Sequence, residues 1–132
     1  MRGRLVILLT AGILMSAPVS AHHGSAAFDN GKVVMLKGTV AQWVYSNPHC
    51  LLTVDVKGED GTVVRWITET QAPNIMYPAG YRKDSFKVGD EVTVNVEPVK
   101  NGLPVGRIRE VVLADGTTLG GIGSVPIPAK GK

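Results

Sequence analysis

Residues 33–45 read Val-Val-Met-Leu-Lys-Gly-Thr-Val-Ala-Gln-Trp-Val-Tyr, and the period of this stretch decides the fold. Val34, Leu36, Val40 and Val44 share one face of an extended chain, while Lys37, Thr39 and Trp43 fall on the other. Successive side chains of a strand point to opposite faces, so this alternation marks a half-buried strand. Gly38 interrupts it at mid-length, where a bulge or sharp bend would curl the strand.

The stretches that follow repeat the signal. Leu52, Val54 and Val56 form an inward stripe against Thr53, Asp55 and Lys57. Gly58-Glu59-Asp60-Gly61 is a turn, and a third strand over residues 63–70 returns with Val64 and Trp66 on one face, giving a hairpin. Pro73 suits the first position of a helix, which Pro78 and Gly80 end within about two turns. Val92, Val94 and Val96 make the cleanest alternation, between turns at Val88-Gly89-Asp90 and Lys100-Asn101-Gly102. A last strand runs over residues 106–113 with Ile108 and Val112 inward, and Asp115-Gly116 then reverses the chain.

Three strands, a short helix and two more strands, with the first strand bent, predict an all-β fold with one short helix. Its form is an OB-fold-like five-stranded antiparallel barrel over residues 33–119. Val34, Val40, Leu52, Val54, Val92, Val94 and Ile108 are its expected interior. Residues 22–32 form an N-terminal arm. Residues 120–132 are rich in Gly and Pro and are expected to be a disordered tail.

The amino terminus indicates export. Arg2 and Arg4 precede an apolar run over residues 5–15, and Val19-Ser20-Ala21 is a small-residue cleavage site directly before His22-His23. This is the pattern of a signal peptide cleaved after Ala21, and the apolar run is short for a membrane span. A periplasmic protein without a membrane span in its mature form is expected. Cleavage removes two arginines and lowers the formal net charge of +3 by two. The near-neutral remainder has no basic stripe for nucleic acid. One cysteine, Cys50, cannot staple its own domain and is expected to be a small buried hydrophobe.

The mature terminus also carries the best chemical signal. An α-amine titrates near 7.7–8.0 and an imidazole near about 6.5, so both lose protons easily at neutral pH. Deprotonated nitrogen donors favour Cu(II) over other divalent metals. With His22 first, its amine and ring can close a chelate, and His23 or His49 can add a further nitrogen. His49 follows the Asn47-Pro48 turn between the first two strands, beside the face where OB barrels bind ligands. Asp29, Asp55 and Glu69 are possible carboxylate partners. The competing reading makes His49 a loop-capping residue and the His-His terminus an adventitious chelator.

Trp43 and Tyr45, opposite the valine stripe, together with Asn47, are candidate contacts for a small organic or saccharide ligand. No His-Glu-x-x-His, Gly-x-Ser-x-Gly or phosphate-loop motif is present, so an enzyme is not expected.

His22-His23 after a signal peptide, Gly38-Thr39-Val40, Asn47-Pro48-His49, Ala72-Pro73-Asn74, Arg82-Lys83-Asp84-Ser85-Phe86 and Gly89-Asp90 together resemble the DUF6152 family, a domain-of-unknown-function family of small exported bacterial proteins. The resemblance covers residues 22–119. It implies an exported, compact β domain of OB-like character and no established activity. Cys50 departs from it, since an apolar residue usually follows Asn-Pro-His. The expected function is that of a periplasmic binding or accessory protein with copper as candidate ligand. The alternatives are an organic-ligand module and a structural partner of an envelope or transport complex.

Overall fold

The computed structural model describes residues 24–121. Among the described residues there are six strands: β1 (Val34–Val44), β2 (Leu51–Lys57), β3 (Val63–Glu69), β4 (Glu91–Pro98), β5 (Val105–Leu113) and β6 (Thr118–Gly120). A single helical turn, α1 (Pro73–Met76), lies between β3 and β4, with Pro73 at its start. β1 to β5 close into a barrel in the order β1–β2–β3–β5–β4–β1. All these pairings are antiparallel except β3 with β5, which is parallel. That cyclic order with one parallel seam is OB-like.

β1 belongs to both walls of the barrel. Its first half pairs with β4 from Val34↔Val96 to Thr39↔Glu91, and its second half with β2 from Thr39↔Asp55 to Val44↔Leu51. The two walls meet at Gly38, where a Cβ would collide with the Asp55 carbonyl oxygen and the Val54 methyl. Glycine is needed there for close approach of the strands.

The interior contains Leu36, Val40, Leu52, Val54, Val92, Val94, Val96, Ile108 and Val111. Val34, expected inside, is only partly buried against this cluster. α1 and its connection to β4 plug one end of the barrel with Met76, Ala79, Tyr81 and Phe86. Tyr81 is fully buried, and its hydroxyl donates to the Leu119 carbonyl of β6 at 3.4 Å.

Two bulges correct the face assignments made from period alone. The β1–β2 register shifts between Val40 and Gln42, leaving Ala41 as the extra residue. Beyond it the faces exchange, so Trp43 and Tyr45 turn toward the core and not away from the valine stripe. A second shift, between Asn95 and Val96, sets Val96 opposite Ile108 and Asn95 opposite Glu110, with Arg109 extra. Val111 is therefore fully buried where Val112 was expected to be. Val64, placed by alternation on the same face as Trp66, is 43% exposed near the start of β3, while Trp66 packs against the core.

β6 also corrects a boundary. Gly120, assigned to the tail from composition, pairs with Glu110 and ends a sixth strand on β5. The expected disorder of residues 122–132 lies outside the described residues, as do the expected signal peptide and His22-His23. Among the described residues no helix is long and apolar enough to cross a membrane.

Candidate metal centre

The β1–β2 connection turns at a cis Asn47–Pro48 peptide and delivers His49 to the end of β3. Its placement follows from the ladder beside it. The Cys50 N–H donates to the Gln71 carbonyl and the Thr70 N–H to the Cys50 carbonyl, extending the β2–β3 pairing past the strand ends. His49 Nδ1 then lies 3.8 Å from Glu69 Oε1, with the imidazole one-third exposed and the carboxylate largely covered. At that distance the contact is electrostatic, longer than a hydrogen bond. In metal sites a histidine donates its second ring N–H to such a carboxylate, an arrangement that His49 and Glu69 would reach by closing to hydrogen-bond distance.

Glu69 sits on the parallel seam opposite Arg107. Their sequence neighbours Thr68 and Ile108 are buried, so both charged side chains project from the outer surface. Arg107 lies opposite Glu97 on its other side. Its Nε and Nη2 donate to Glu97 Oε2 at 2.9 and 2.5 Å, and Arg109 Nη1 stands 3.2 Å from the other carboxylate oxygen. Arg107 Nη2 also donates to Asn30 Oδ1 at 3.0 Å, and the guanidinium lies 4.9 Å from the centre of the Phe28 ring.

The N-terminal arm pairs edge-on with the chain at the end of β4, and its Asn30 and Phe28 side chains reach across to Arg107 on the outer face. Phe28 is buried and bridges to Val99, and the Lys100 N–H donates to the Ala27 carbonyl at 2.9 Å. The arm starts beside the β4–β5 turn, and His49 stands on the β1–β2 connection. These two connections border the ligand face of OB barrels.

The remaining candidates are placed elsewhere. Among the described residues no three His, Cys, Asp or Glu side chains converge on a metal position. Asp55 is held by Arg65 through bonds of 2.7 and 2.8 Å, and that guanidinium keeps its carboxyl below the usual range. Asp29 Oδ1 accepts the Gly31 N–H in a local turn. Cys50 is fully buried, and burial pushes its thiol pKa up, which disfavours a thiolate ligand.

Trp43 and Tyr45 are committed to packing. The Trp43 Nε1–H donates to the Arg82 carbonyl at 2.9 Å, and its ring meets Phe86 edge-on at 4.8 Å. The Tyr45 hydroxyl lies within 3.2 Å of the carbonyls of Pro73 and Tyr81. Asn47 is exposed at the cis bond. An open groove of about 480 Å³ lies across β1, β4 and β5, lined by Lys37, Thr39, Glu91 and Thr93 among others, and contains none of these three residues.

Reading the sequence alone missed Glu97, Arg107 and Phe28. The available signal was weak: a lone aromatic in the polar arm, and a Glu and an Arg placed to face each other across a hairpin. No curated protein and no solved structure matches the sequence. The family model of DUF6152, a family of unknown function, matches residues 11–108, and the chain belongs to that family.

Proposed function

We propose that this is an exported, non-enzymatic binding or accessory protein of the periplasm. It holds Cu(II) through the amine and ring of His22, with His23 and His49 as further nitrogen donors. The observation that supports this reading is the His49–Glu69 contact, 3.8 Å long, with Glu69 paired across the seam to Arg107, which bonds Asn30 of the N-terminal arm. His49 and Glu69 supply too few donors for a site alone. A site there needs nitrogens from another segment, and His22 and His23 immediately precede the arm's first described residue, Gly24. An envelope or transport complex is the proposed partner, receiving or delivering the metal.

The test uses protein whose intact mass shows that it begins at His22. Competitive Cu(II) titration of this protein and of His49→Ala should show a loss of at least about tenfold in the variant, the scale of losing a metal-site group. Equal affinities would make His49 a loop residue and the terminus an adventitious chelator.

A further inference from the structure

The side chain of Arg107 makes contacts in two directions. On the barrel it holds Glu97, a carboxylate only 3% exposed that also has Arg109 within reach. On the arm it holds the Asn30 amide oxygen and lies over the Phe28 ring. A planar, five-donor guanidinium can satisfy an acid, an amide and an aromatic face at once, which a lysine ammonium on its flexible stem cannot. Arg109, the bulge residue, shares the carboxylate but has a 60% exposed side chain. Glu97 therefore keeps a cation when Arg107 is removed.

We infer that Arg107 is the latch of the N-terminal arm, fixing the Phe28 and Asn30 side chains across β4 onto β5. Main-chain bonds from Asp29 N–H to the Pro98 carbonyl and from Lys100 N–H to the Ala27 carbonyl run on either side of Phe28. They form a two-bond strap, and an arm tied so briefly opens locally unless side chains hold it. The latch is internal to the described chain. Its consequence for copper rests on the proposed function: by fixing the arm, Arg107 is a positioning residue for the histidines before Gly24.

Hydrogen exchange followed by mass spectrometry reads the latch directly. In Arg107→Gln, exchange at Asp29 and Lys100 should accelerate about tenfold, the scale of losing a hydrogen bond to a charged group. Amides of β2 should be unchanged. Arg107→Lys should stay close to Gln, because the fork is lost while the charge remains. Should Arg107→Gln fail to fold, Asn30→Ala removes an arm-side contact, leaves Glu97 paired, and should still accelerate Asp29. Unchanged exchange at Asp29 in the folded variants would overturn the latch. Cu(II) titration of the same variants separates the two claims. Loss of arm protection with a parallel loss of affinity supports the positioning role, and loss of protection with full affinity overturns it. A parent that binds no better than His49→Ala defeats the copper reading alone, with the latch judged on exchange.

Discussion

The indole of Trp43 is tied to the backbone of Arg82, 39 residues away in sequence, by a 2.9 Å hydrogen bond from Nε1–H to the carbonyl oxygen. This bond joins the bent end of β1 to the segment that plugs the barrel, and Phe86 packs edge-on against the same ring. Trp43→Phe should keep the aromatic packing and lose the hydrogen bond, costing about 1 kcal/mol in urea unfolding. Trp43→Ala should cost about 3–5 kcal/mol. Values near zero for both would return Trp43 to the exposed role that simple alternation assigns it.

Gly38 is required by close approach between the two walls of the barrel. Gly38→Ala puts a methyl group against the Asp55 carbonyl and the Val54 side chain, and should destabilise by about 1–3 kcal/mol. Gly24→Ala meets nothing within 4 Å and serves as the control. Equal thermal midpoints for the two variants would show that β1 does not bend tightly at Gly38.

Cys50 predicts a specific alkaline dependence. Burial raises its pKa above 9.0, so near and above that pH the unfolded chain releases a proton that the folded chain retains. Stability is therefore full below pH 9 and falls as pH rises further. Tyr45 and Tyr81, both raised from 10.0 chiefly by burial, extend the loss at higher pH. Between pH 9 and 10, Cys50→Ala should show a flatter stability profile than the parent. Identical slopes would mean that the thiol titrates alike in both states.

Which parts of this structure the sequence reveals follows from the range of the forces involved. Strand positions, turns and the short helix are local, and Val92, Val94 and Leu52 fall inside as their alternation implies. The bulges at Ala41 and Arg109 are imposed by closing the barrel, and each reverses the period that a strand-by-strand reading assumes. For that reason strand-by-strand alternation places Trp43, Tyr45 and Val112 on the wrong faces. Of the three carboxylates considered for His49, spacing could not select Glu69. The selection comes from the β2–β3 pairing that sets Leu51 opposite Glu69. The arm was legible as a segment, but its latch depends on Arg107 meeting Asn30 across 77 residues.

Glu69 gives a test of the site that spares every proposed ligand. If its carboxylate orients the His49 ring for metal, Glu69→Gln should weaken Cu(II) binding by about tenfold. Glutamine keeps the size of the largely covered side chain, so the variant should stay folded, and its thermal midpoint is measured alongside. Wild-type affinity in Glu69→Gln would show that the carboxylate has no part in metal binding.

The central claim is that the amino terminus and His49 bind one metal ion together, and a double-mutant cycle measures that coupling. The four proteins are the mature chain beginning at His22, the same chain extended by one alanine, His49→Ala, and the combination. Each undergoes competitive Cu(II) titration at one equivalent. For a shared site, the extension weakens binding strongly in the parent and far less once His49 is gone. The interaction free energy then exceeds about 0.5 kcal/mol. Strictly additive effects would contradict the account and leave a terminus that chelates copper independently of the barrel.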